Sequence, residues 1–105
     1  MVSGVANANE DYGKIVVSAP AIEGRPVTFT ITMQRNCTQN DNWHYTIQNS
    51  TQLFHNDDNT TIIQKNKNTY TLTLNNASST YHKLNISFVC DRIPIDTVTL
   101  NLIGK

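Results

Sequence analysis

What this chain of 105 residues lacks narrows it first. It has no excess of charge. Lys plus Arg number 8 and Asp plus Glu number 8, so no basic surplus exists for nucleic acid or an anionic membrane surface. Only four glycines are present, too few and too scattered for a loop that cradles phosphate. There is no Gly-x-Ser-x-Gly elbow. The acidic stretch "NDDNT" has neither the spacing nor the closing Glu of an EF-hand loop. No Cys or His stands at ligand spacing from another, so no metal or other cofactor is expected, and His44, His55 and His82 read as scattered surface residues. No apolar run is long enough to cross a bilayer, and this segment is not expected to insert into one. "MVSGVANANEDYG" lacks the charged start and apolar stretch of a signal peptide, so Met1 is expected to be an addition made for expression. Finally, no segment carries a 3.6-residue apolar period long enough for a helix, which argues against a helical domain.

Asparagine and threonine supply the polarity instead, with fourteen of each. Both are poor in helix interiors, and threonine suits strands. Five Asn-x-Ser/Thr triplets occur, at Asn36, Asn49, Asn59, Asn76 and Asn85. An Asn- and Thr-rich chain generates some by chance. Five in one small chain that also holds two cysteines favour a secreted, glycosylated protein. In an oxidising compartment two cysteines most simply form one bridge, and buried free thiols are the alternative.

Strict alternation dominates the rest. "PVTFTITM" (26–33) places Val27, Phe29, Ile31 and Met33 on one face and threonines on the other. "WHYTIQ" (43–48), "TYTLTLNN" (69–76), "LNISFVC" (84–90) and "TVTLNLI" (97–103) alternate in the same way. Shorter strands are expected at 14–20, 52–55 and 60–65. Turns or connections are expected at 22–24, 34–42, 56–59, 66–68, 78–83 and 91–96, the last containing Pro94. Eight or nine short strands with turn signals every eight to twelve residues predict one all-β domain. Strands with a single apolar face need a second sheet to cover it, which predicts a two-sheet antiparallel sandwich over residues 13–105. Residues 1–12, small and polar, are expected to be disordered.

From about Lys14 to Ile103 the order and spacing resemble the immunoglobulin superfamily. "GRPVTFTI" looks like that family's strand B, with Ile31 where its cysteine belongs. Trp43 follows twelve residues later, at the place of the family's core tryptophan on strand C. "YTLTL", "LNISFVC" and "TVTLNLI" look like strands E, F and G. Strand F lacks the Asp-x-Gly-x-Tyr-x-Cys approach, and both cysteines are displaced from the usual pair. The resemblance implies a variable-like domain with a reduced C′–D region, with the intermediate set as the alternative. It also implies a core of Ile31, Trp43, Leu72 and Phe88 packed by apolar contact alone. Because strands B and F run toward the same end, it further implies a Cys37–Cys90 bridge that closes the BC–FG end. Such a bridge adds roughly 4 kcal/mol by restricting the unfolded chain. Burial of Ile31 and Phe88 contributes about 1.5–3 kcal/mol each, so loss of a central bridge is survivable. A more distant likeness, one of style, is to the membrane-distal domains of cnidarian allorecognition receptors.

Two kinds of function are left. "HNDD" (55–58) reads as a solvated turn rather than a catalytic group, so an enzyme is not expected. The resemblance implies a cell-surface or secreted recognition domain whose partner is another cell-surface protein, including a copy of itself on an apposed cell. The contact face would come from strands C, F and G, centred on His44, Thr46, Ser87 and Thr99. A glycan at Asn85 would project from the middle of that face. The competing readings are a spacer domain that presents its neighbours and a virus-encoded immunoglobulin-like decoy.

Overall fold

The structure, a computed structural model, describes residues 13–18, 20–34, 36–38 and 42–104. The segment 1–12 and parts of the expected polar loop 34–42 lie outside the described residues. Among the described residues eight strands follow one another: β1 Gly13–Val17, β2 Val27–Met33, β3 Trp43–Ile47, β4 Ser50–Leu53, β5 Thr60–Asn66, β6 Thr69–Leu74, β7 Asn85–Cys90 and β8 Ile93–Thr99. A 3-10 turn, Ser79–Tyr81, interrupts the 78–83 connection. No helix among the described residues is long and apolar enough to cross a membrane.

The strands form two antiparallel sheets of four, in the orders β1-β2-β6-β5 and β4-β3-β7-β8. Alternation decides which side of each sheet is buried. On β2 the residues Val27, Phe29 and Ile31 are fully buried, while the threonines between them face outward. Leu72 and Leu74 of β6 join them from one sheet, and Trp43, Ile86, Phe88 and Ile95 meet them from the other. The predicted two-sheet sandwich and its four named core residues are therefore present.

The ends of several strands differ from expectation. The last strand begins at Ile93 rather than 97 and includes Pro94. Only Asp91 and Arg92 form the turn before it, both with positive φ, 50° and 73°. That is the two-residue primed geometry whose twist suits a hairpin. The proline is tolerated because β8 is an edge strand and the ladder shifts register between Phe88 and Val89. A second such turn, Gln48 and Asn49 at φ 50° and 67°, starts β4 at Ser50, two residues before the expected position. Phe54 then leaves the strand and enters the core.

The two sheets are tied along one edge by a side chain. The Ile15 amide of β1 donates to Asp96 Oδ2 of β8 at 2.8 Å. Gly13 permits this approach, since a Cβ there would lie 2.7 Å from the Thr32 carbonyl and 3.1 Å from Ile95 Cγ2. Further along the same edge the chain bridges Ile22 to Ile103 in parallel, and the Glu23 amide donates to the Ile103 carbonyl at 3.0 Å.

Candidate functional site: an uncharged sheet face

The outer face of β4-β3-β7-β8 is ordered by strand register. One row runs Leu53, His44, Ser87, Thr97, and the next runs Thr51, Thr46, Asn85, Thr99. His44 and Ser87, expected in the contact face, are thus direct neighbours. Thr46 and Thr99 are not; Asn85 stands between them. Neither row contains a carboxylate, an ammonium or a guanidinium. Alternation could nominate His44, Thr46, Ser87 and Thr99, but Leu53 and Thr51 join only because the primed turn sets the β4 register.

Hydrogen bonds fix several of these groups. The Thr99 hydroxyl donates to Asn85 Oδ1 at 2.8 Å, which leaves the Asn85 amide nitrogen, the atom of a glycan linkage, outside that bond. The hydroxyls of Thr46 and Thr51 lie 3.2 Å apart. His44 Nδ1 lies 3.1 Å from the Asn42 carbonyl, which can only accept, so Nδ1 carries the proton in this contact. Asn42 is itself buried: its side chain donates to the Val89 carbonyl at 2.8 Å, and its carbonyl accepts from the Val89 amide at 2.8 Å.

One end of the face is closed by two links. Cys37 and Cys90 are joined by a disulfide with a Cα separation of 5.3 Å, as the resemblance implied. Beside it, the Thr38 hydroxyl and amide donate to the Asp91 carboxylate at 2.7 and 3.1 Å. The loop after β2 is thereby held to the β7–β8 turn by a covalent and a polar staple. The polar staple had no sequence signal beyond an Asp following a Cys. Toward the core, Trp43 packs edge to face on Phe88 with centroids 5.1 Å apart, and Tyr70 lies 5.0 Å from the same ring. Burial, and secondarily the Asp91 charge, raises the Tyr70 pKa above the ordinary tyrosine value.

The five sequons fall in unlike settings. Asn36, Asn49, Asn76 and Asn85 are exposed. Asn59 is half-buried, and its amide nitrogen donates to the Tyr81 hydroxyl at 3.4 Å. The "HNDD" stretch does structural work: Asp57 Oδ1 accepts the Asn59 and Thr60 amides at 2.7 and 2.8 Å, and Asn56 Oδ1 accepts the Ile62 amide at 2.6 Å. Among the described residues no group of three or more His, Cys, Asp or Glu is placed to hold a metal ion.

Compared with known proteins, the chain matches no family model, no curated sequence and no solved structure.

Proposed function

We propose that this chain is an immunoglobulin-like extracellular recognition domain that binds another cell-surface protein through the outer face of β4-β3-β7-β8. The observation that carries the reading is that face: two rows of hydroxyl, amide, imidazole and methyl groups without a formal charge. A neutral polar face stays soluble when free and sheds little ionic hydration when covered. It also lets like surfaces meet without repulsion, so a copy of the same domain on an apposed cell is a fitting partner. The immunoglobulin-like reading is supported by the strand orders and by a third-strand tryptophan packed into the core. We read the domain as variable-like with a reduced middle, because one short strand, β4, extends the β3-β7-β8 sheet. The disulfide and five sequons support an extracellular setting.

A contact made by one small domain is weak and acts through many copies. The test is bead aggregation with the chain densely immobilised, wild type against Thr99→Arg. The expected result is aggregation of wild-type beads and its loss in the variant. No aggregation by wild type, with capture of a different cell-surface protein that Thr99→Arg abolishes, replaces the homophilic form with a heterophilic one. A spacer predicts that Thr99→Arg changes nothing, and that outcome ends the proposal.

A further inference from the structure

The opposite sheet carries a pattern that the recognition face does not use. On the outer side of β1-β2-β6-β5, a row crosses all four strands in register: Val16, Thr30, Thr71, Ile63. Its two ends are the exposed apolar side chains Val16, 61% exposed, and Ile63, 49% exposed. Its middle is low, for Thr71 is only 6% exposed although it lies on the outer side. Threonines fill the rows on both sides, and one cross-strand pair, Thr28 and Thr73, already joins its hydroxyls at 3.1 Å. Hydroxyls that partner each other lose less when water is removed. No sequon asparagine lies on β1, β2, β5 or β6; Asn59, just before β5, and Asn76, two residues after β6, stand beyond the Thr61–Thr73 end, away from the Val16–Ile63 row.

We propose that this face is a self-association surface on which a second copy of the chain packs about a two-fold axis running across the strands. In that arrangement the Val16 side chains of the two copies meet each other, and so do the Ile63 side chains. A two-fold contact must be self-complementary, and a row that faces its own copy meets this condition. Charge selects the axis. Lys14 on β1 and Lys65 at the β5 bulge stand on opposite edges of the sheet, both at its Thr32–Thr69 end, whereas the Thr28–Thr73–Thr61 row at the other end carries hydroxyls only. An axis across the strands lays the lysine end of one copy on the hydroxyl end of the other. An axis along the strands would set lysines against lysines, which is repulsive.

Size sets the strength. Four strands at ~4.8 Å and five residues at ~3.4 Å give a face of about 320 Å². A stable interface takes about 800 Å² from each partner, so this dimer is weak and forms at high local density, such as on one membrane. The contact is lateral and independent of the recognition face on the other sheet.

The test uses isotope-labelled soluble chain, followed by NMR shifts and sedimentation from micromolar to millimolar concentration. Wild type should associate, with shift changes on Val16, Thr30, Thr71 and Ile63. Ile63→Lys and Val16→Lys should each weaken association by about tenfold or more, because each brings two lysines together at the axis. Ile103→Lys, which alters the third exposed apolar residue away from this face, should leave it unchanged. Circular dichroism of each variant verifies the fold, and Val16→Lys, on an exposed edge-strand position, keeps the test open if Ile63→Lys unfolds. A chain that stays monomeric, shifts confined to β3, β4, β7 and β8, or equal losses with Ile103→Lys would overturn the proposal.

Discussion

Trp43 and Phe88 stand directly opposite in the β3–β7 register, and their rings meet edge to face in a core with no sulfur bridge at its centre. Phe88 also touches Tyr70 of the facing sheet, so a ladder of aromatic rings spans the sandwich. Such pairs add about 0.5–1.5 kcal/mol beyond the area they bury. The centre is thus held by packing, and the covalent link is free to sit at the end.

The first prediction concerns Trp43. Its Nε1 is buried and has no hydrogen-bond partner. A buried donor left unpaired costs about 1–3 kcal/mol. Trp43→Phe removes that donor and keeps most of the ring, whereas Trp43→Ala opens a large cavity. Urea titration should show a loss of about 3–5 kcal/mol for the alanine variant and clearly less for the phenylalanine one. Equal losses would mean the orphaned nitrogen carries no penalty.

The second concerns the bridge. Mass spectrometry after non-reducing digestion should recover Cys37 linked to Cys90. Because Ile31, Phe88 and Leu72 are fully buried among apolar side chains of both sheets, the Cys37→Ala/Cys90→Ala protein should stay folded and melt earlier. The loss is about 4 kcal/mol at most. Collapse of the near-ultraviolet signal on reduction would show that the packed centre cannot stand alone.

The third is a pH dependence. The folded-state pKa of Tyr70 lies above its ordinary value, chiefly through burial. A raised pKa means the folded state holds the proton more tightly. This contribution is therefore complete below the unfolded pKa, about 10, and is lost as pH rises through the folded value. Melting temperature should fall above about pH 10 in wild type and fall less steeply in Tyr70→Phe. Parallel curves would assign the alkaline loss to other groups.

The fourth tests the edge tie. Asp96→Ala removes the acceptor of the Ile15 amide, and Asp96→Asn retains one. A hydrogen bond to a charged group contributes about 1.5–3 kcal/mol. Amide exchange at Ile15 should accelerate strongly in the alanine variant and partly in the asparagine one. Unchanged exchange in both would show that β2 alone holds β1.

Much of this fold was legible because β2, β6 and β7 alternate with a period of two, and burial follows that period residue by residue. The bridge was legible through the immunoglobulin resemblance, against whose usual pair both cysteines are displaced toward the same end, Cys37 into the loop after β2. The start of β8 was not. "DRIPID" holds a proline and three charges, which reads as a long turn. The chain in fact reverses at Asp91 and Arg92, a pair without the glycine that usually marks a primed turn. The β4 register escaped for the same reason at Gln48 and Asn49, and with it the places of Leu53 and Thr51 on the face. Contacts such as Asp96 with Ile15 join residues 81 apart, and no local pattern encodes them.

The position of the bridge also has a mechanical meaning. In the adhesive role proposed above, the domain would be pulled along its chain. Cys37 and Cys90 are 53 residues apart, so the chain between them cannot be drawn out while the bridge stands. At ~3.6 Å per extended residue, about 190 Å of length is withheld from any pull. Only β1, β2 and the loop up to Cys37 on one side, and β8 onward on the other, can unravel under load. The strands β3, β4 and β7, which carry most of the uncharged face, lie inside the withheld segment. Stretched past its yield point, the domain would lengthen by a short, fixed step and keep those strands on a closed loop, ready to refold when tension drops.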